Sequence, residues 1–158
     1  MTNPPVTLES LFNAQRQIQV LAYGKDPSEI TDERERIQFI KDMNLALQDE
    51  LHEFLQETGW KPWATSNHVN EQAAHGELID AFLFFLNLCM VTNFDPESFA
   101  DKFFEKINRN LDRQLAGYDG ITGKCSHCKR AMDDPGVGCY PDPKHPGYSM
   151  CVAHLEGK

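Results

Sequence analysis

An all-α fold, a four- to five-helix bundle followed by a small irregular appendage, is what this sequence of 158 residues predicts. Three observations predict it. Apolar residues recur every three or four positions through four segments before Gly117, and no segment there alternates apolar and polar residues as a strand does. Four of the five cysteines, Cys125, Cys128, Cys139 and Cys151, crowd into the last quarter of the chain among glycines and prolines. The change in composition divides the chain into a helical domain over residues 1–118 and a Cys/His-rich appendage over 119–158.

The first helix is predicted from a Thr7 cap to about Ala22, with Leu8, Leu11, Phe12, Gln15, Ile18 and Leu21 at helical spacing and Gly24 as its stop. After the loop "GKDPSEI", Thr31 or Asp32 opens a long second helix that runs to Gly59 with acidic residues in its first turn. The turn-rich "GWKPWATSNHVN" leads to a third helix from about Asn70 to Thr92. Its second half is apolar on every side, as in a helix enclosed within a fold or a subunit contact. Asp95 caps a fourth helix, with Pro96 at its first position, that continues to Gly117.

Charge and hydropathy exclude several roles. A formal net charge of -9 argues against wrapping nucleic acid or lying on an anionic membrane, because both need clustered positive charge. The longest apolar run, "AFLFFLNLCMV", is too short to cross a bilayer, and "MTNPPVTLES" has neither the basic start nor the apolar middle of a secretory signal. A reducing cytoplasm is the expected compartment, and disulfides are not expected there.

The second helix carries an unusual number of carboxylates beside residues it must bury. Positions three apart lie roughly 60° apart around a helix and about 4.5 Å apart along it, so Glu50 and Glu53 point the same way. Ile40, Met43, Leu47, Leu51 and Phe54 set the apolar stripe, which places Glu50 at its edge and Glu53 a little further out. On the third helix, Glu77 and Asp80 repeat the device just before the most apolar segment of the chain. One such pair reads as a solvated face, but two pairs on separate helices can converge. Four converging carboxylates repel unless they are protonated or neutralised by a cation, and Mg²⁺ suits an all-oxygen ligand set.

The pattern Glu50-x-x-Glu53, a spacer, then Glu77-x-x-Asp80 resembles the metal site of the all-α nucleoside triphosphate pyrophosphatases, which include the MazG proteins and the dimeric dUTPases. The resemblance covers most of residues 7–119. "ETGWKPW" is similar to the segment that follows the first metal helix in dimeric dUTPases, and "KINRNLDRQLAGY" resembles their phosphate and sugar motif. "LFNAQ", with Gln15, is similar to their glutamine that reads the base. The compact length is also similar to short phage-type MazG-like proteins, including MazZ-like enzymes that hydrolyse dGTP. The large insertions of the bigger dUTPases are missing, and the cysteine-rich tail is not part of their common pattern.

The resemblance implies a nucleoside triphosphate pyrophosphohydrolase that converts a dNTP and water to a dNMP and pyrophosphate, with dUTP as the leading substrate and dGTP, dCTP or a modified nucleotide as alternatives. In that reading Glu50, Glu53, Glu77 and Asp80 hold two or more Mg²⁺, which Mn²⁺ can replace, and Glu50 also takes a proton from the attacking water. Lys106, Asn110, Arg113, Gln114 and Tyr118 bind phosphates and sugar. Lys61 lies between Trp60 and Trp63, where it reaches phosphate while an aromatic ring packs on base or sugar; the tryptophans otherwise fill a gap between helices. Gln15 and Asn87 are amides on apolar stripes that read a base edge or serve as satisfied core amides. His68 and His75 read as structural. A homodimer or homotetramer is implied.

In the tail, Cys125-x-x-Cys128 and Cys151-x-x-His154 have the form of a four-ligand zinc knuckle, with Cys139 as the alternative to His154 and with His127 and His145 also in reach of such a role. A reading from another class is a non-catalytic helical scaffold whose zinc-binding tail recruits a protein.

Overall fold

The computed structural model describes residues 5–117, 120, 123–125, 128–133, 139–141, 144 and 149–151. Four α-helices dominate: α1 (Leu8–Tyr23), α2 (Glu33–Gln56), α3 (Glu71–Val91) and α4 (Pro96–Leu115). The all-α expectation holds, with caps where short polar residues announce them. Thr7 Oγ1 accepts the Ser10 amide at 3.1 Å while Ser10 Oγ accepts the Thr7 amide at 2.9 Å, a reciprocal box that satisfies two donors at the start of α1. Gly24 ends α1 at φ 71°, a left-handed conformation that costs other residues strain. Asp32 accepts the Glu35 amide at 2.9 Å and Asp95 accepts that of Ser98 at 2.8 Å. The loop before α2 contains one 3-10 turn, Pro27–Glu29, capped by Asp26.

Contacts divide the chain into two compact units, Met1–Phe103 and Phe104–Lys158. In the first unit, α2 and α3 form an antiparallel hairpin. Its register is read from cross-helix partners: as numbers rise along α2 they fall along α3, from Arg36 with Val91, through Met43 with Asn87, to Glu57 with Asn70. Arg36 Nε donates to the Val91 carbonyl at 3.0 Å, satisfying an acceptor at the end of α3.

The core is small and sits where α1 meets the second half of α3. Phe12, Leu86, Cys89 and Met90 are buried together, with Leu8, Phe82, Phe85, Phe94 and Phe99 packed around them. Phe99 draws the start of α4 into this cluster, its ring centroid 5.3 Å from Phe94, 5.9 Å from Phe85 and 6.4 Å from Phe12. Truncating a residue such as Phe12 to alanine costs about 3–5 kcal/mol in a packed core. Over its full length α3 is apolar enough to cross a bilayer, although the run within it that sequence inspection singles out is shorter. Here Ala81, Leu86, Cys89, Met90 and Val91 are buried while Leu78 and Ile79 stay exposed, and the helix carries Glu77 and Asp80.

The second unit joins the later turns of α4 to the tail. Arg113 pairs with both carboxylate oxygens of Asp133, Nε to Oδ2 at 2.8 Å and Nη2 to Oδ1 more closely. The tail contains a short antiparallel ribbon of β1 (Cys139–Pro141) and β2 (Ser149–Cys151), with Cys139 opposite Cys151. Sequence reading treats this segment as irregular, because strands of three residues are too short to show alternation.

Candidate active site

The hairpin register brings the two acidic pairs to the same level. One carboxylate oxygen from each of Glu50, Glu53 and Glu77 lies within 4.8 Å of the others. Glu50 and Glu77 are half-buried and Glu53 is exposed, as the stripe on α2 predicts. Asp80, one turn beyond Glu77, is outside this trio but close enough for its charge to act on Glu50. Burial first, then the charges of Glu53, Asp80 and Glu77 and a hydrogen bond with Glu77, hold the Glu50 carboxyl above its ordinary value. No lysine or arginine supplies a counter-charge among the causes of that shift. An all-oxygen donor set with mutual repulsion fits a hard divalent cation, whose charge relieves it.

The level of the cluster is fixed by backbone pins at the end of the hairpin. The Asn70 amide donates to the Glu57 carbonyl at 2.8 Å, and Asn70 Nδ2 donates to Glu57 Oε2 at 2.8 Å. Glu57 thus acts as a clasp, and Asn70 leaves its own helix start without a side-chain cap. The Gly59 amide donates to the His68 carbonyl at 2.8 Å, beside a Thr58–Val69 bridge. A Cβ on Gly59 would lie 2.2 Å from the Ser66 carbonyl oxygen, so the crossing admits only glycine. The loop enclosed by these pins carries "WKPW". Trp60 is 44% exposed and Trp63 76% exposed, so neither ring fills a gap between helices. Lys61 Nζ lies 5.9 Å from the Trp60 ring centre, and an open cleft beside that ring is lined by Thr58, Gly59, Asn67, His68 and Val69.

Two helical turns along the hairpin from the acids lies a buried amide relay. Gln15 Nε2 donates to Asn87 Oδ1 at 2.9 Å, and Asn87 Nδ2 donates to Met43 Sδ at 3.2 Å. A thioether can only accept, so Met43 fixes which end of the Asn87 amide faces it. That choice turns Asn87 Oδ1 toward Gln15 and makes Gln15 donate through nitrogen. Among the described residues Gln15 Oε1 is then a buried side-chain oxygen with no hydrogen-bond partner. Asn87 has no exposed surface and both ends of its amide are engaged, in keeping with the satisfied core amide that is one of its two readings from sequence.

Other expectations land differently. Leu51, assigned to the buried stripe, is 46% exposed, because the face of α2 at this level is given over to the carboxylates and only Phe54 and Leu55 turn inward. Lys106, Asn110 and Gln114 are exposed on α4 in the second unit, and Arg113 there is held by Asp133. Tyr118, His127, His145 and His154 lie outside the described residues. Met43, Asn70, Gly59 and Asp133 are missed by sequence reasoning; only Gly59, in a turn-rich stretch, leaves a signal.

The four-helix architecture is consistent with the all-α superfamily of dimeric dUTPases and MazG-like proteins. Residues 7–116 match the dUTPase family over well more than half of the chain, and the chain belongs to that family. It is a dUTPase-like nucleotide hydrolase. No curated protein and no solved structure matches it.

Proposed function

We propose that the protein is a Mg²⁺-dependent pyrophosphohydrolase that converts dUTP to dUMP and pyrophosphate. The observation that carries this reading is the meeting of Glu50, Glu53 and Glu77 within 4.8 Å across α2 and α3, inside the segment that matches the dUTPase family. Glu50, Glu53, Glu77 and Asp80 would hold the cation. A bound Mg²⁺ supplies neutralisation of phosphate charge and a template for the attacking and leaving oxygens. Glu50 accepts the proton of the attacking water, Lys61 draws phosphate toward the cleft, and the exposed face of Trp60 offers a stacking surface. Lys106, Asn110, Arg113, Gln114 and Tyr118, the residues that resemble the family's phosphate and sugar motif, are the further proposed substrate contacts.

Base choice follows from the relay. Asn87 lies seven residues beyond Asp80 and ten beyond Glu77, so the relay sits about 10 to 15 Å along α3 from the acids, the order of span between a nucleotide's base and its phosphates. The unpartnered Gln15 Oε1 matches the N3–H of uracil and opposes the N3 lone pair of cytosine. Asn87 and Met43 act through Gln15 as positioning residues. Guanine also presents a ring N–H, which makes dGTP the decisive competitor.

A dNTP panel with Mg²⁺ and a pyrophosphate readout tests the reading on wild type, Glu53→Gln and Asn87→Leu. Wild type is expected to turn over dUTP fastest, Glu53→Gln to lose roughly 100-fold or more, at the upper end of what disturbing a metal site's support costs, and Asn87→Leu to lose discrimination against dCTP by roughly 10-fold. Preference for dGTP overturns the uracil assignment. No turnover of any dNTP, with Mg²⁺ leaving nucleotide affinity unchanged, favours a helical scaffold instead.

We assign a homodimer or homotetramer in the cytoplasm, with a structural Zn²⁺ in the tail. Ile18, Leu21, Leu45 and Ile79 are more than half exposed on α1, α2 and α3, large apolar side chains that a second copy would cover. A monomeric mass across a concentration series would refute that assembly.

A further inference from the structure

The four tail cysteines form a cluster that the family match, ending at residue 116, does not reach. Their sulfurs lie within 4.8 Å of one another although they come from three separate pieces of chain. Cys125 and Cys128 come from one turn, in which the Cys125 amide donates to the Arg130 carbonyl at 2.8 Å and the Lys129 amide returns to the Cys125 carbonyl at 3.0 Å, with Lys129 at φ 60°. Cys139 and Cys151 face each other across the β1–β2 ribbon. Cys125, Cys139 and Cys151 are buried and Cys128 is exposed.

The spacing distinguishes what holds them. Sulfurs in a disulfide are ~2.05 Å apart, whereas a zinc–sulfur distance of ~2.3 Å makes each edge of a sulfur tetrahedron about 3.8 Å. Cys128 and Cys139 are separated by 3.5 Å, and Cys139 and Cys151 by 3.3 Å. All four thiols are free of disulfides. Among the described residues only Met132 adds a hydrophobic side chain to this cluster, too little to fold the segment by apolar burial.

Met132 also leads to a neighbour of consequence. Its amide donates to the Gly123 carbonyl at 2.8 Å, tying residue 132 to the cysteine turn, and the next residue is the Asp133 that grips Arg113.

We propose that Cys125, Cys128, Cys139 and Cys151 bind one structural Zn²⁺, and that this ion folds the tail into a module that holds Arg113 through Asp133. Four thiolates in a tetrahedron are the ligand set of a closed, structural zinc site. Binding releases thiol protons to solvent and changes no oxidation state. Cys139, the alternative that the sequence offers for the fourth ligand, completes the set. Arg113 is oriented by the tail, so loading with metal sets the conformation of the last turns of α4.

Elemental analysis of full-length protein purified without added zinc tests the first half. Wild type and His154→Ala are each expected to retain one equivalent of zinc, and Cys139→Ser to fall below half. Substoichiometric zinc in wild type, one equivalent of iron in its place, or loss from His154→Ala with retention by Cys139→Ser overturns the assignment. If Cys139→Ser fails to fold, titrating wild type with a mercurial decides: four thiols must react for each zinc released, and any smaller number refutes the ligand set. For the second half, the Arg113 side-chain Nε–H resonance is expected to be protected from solvent exchange in zinc-loaded protein and to lose that protection on zinc release. Protection that survives zinc release refutes the coupling.

Discussion

The acidic cluster on the helix hairpin and the thiol cluster in the tail are built from the same idea and reach opposite ends. Each gathers side chains of one kind within 4.8 Å. The carboxylates stand on long helices that apolar packing and backbone pins already hold, and Glu53 is open to solvent. The thiols are mostly buried, on a turn and two three-residue strands with almost no hydrophobic support. A scaffold that pre-exists its metal can exchange that metal and admit a substrate beside it. A scaffold that depends on its metal cannot release it without unfolding.

Chelation gives the largest contrast. EDTA in excess of Mg²⁺ is expected to abolish turnover while leaving the far-ultraviolet circular dichroism of the four helices unchanged, and readdition of Mg²⁺ restores the rate in full. Stripping zinc with a thiol reagent is expected to do the reverse, melting tail structure and leaving the hairpin helical. Loss of helix signal with EDTA alone breaks the distinction.

A smaller effect tests whether the hairpin holds its acids in register without metal. Gly59→Ala drives a Cβ into the Ser66 carbonyl oxygen, and such overpacking costs about 1–3 kcal/mol. Denaturant unfolding of the Mg²⁺-free protein measures it. An unchanged midpoint shows that the crossing at Gly59 contributes nothing to the register.

The smallest effects are in pH, and their signs differ between the regions. Glu50 is raised by folding, so in the absence of Mg²⁺ its contribution favours the folded state below the ordinary carboxylate range and is lost as pH rises through its folded value. Mg²⁺ should therefore raise the melting temperature more at pH 8 than at pH 5. Asp133 is lowered, chiefly by its hydrogen bonds from Arg113, so its contribution is present above the unfolded value of about 4 and is lost as pH falls below it. The Arg113 resonance should lose protection in acid, and a pH-independent signal removes Asp133 from the account.

Much of this was legible in the sequence, and the reason is locality. The helices follow from caps and apolar spacing that act within a turn or two, as at Thr7, Asp32 and Asp95. The acidic pairs are equally local, since helical spacing alone makes Glu50 and Glu53 neighbours. What could not be read depends on partners far along the chain. Asn87 looks like a free amide until Met43 and Gln15 close on it from two other helices. Arg113 looks like an available cation until Asp133, twenty residues later, is folded back upon it. The choice of Cys139 as a cluster member needed the ribbon that sets it opposite Cys151.

The clasp between Glu57 and Asn70 has a consequence for how such a protein diversifies. It and the Gly59–His68 bond close the hairpin on either side of the stretch from Trp60 to Asn67, so that stretch begins and ends at fixed points. An exposed position in that stretch, such as Trp63, can change its side chain while both pins stay in place. Evolution has, in that short arc, room to vary side chains while the frame that carries them stays the same.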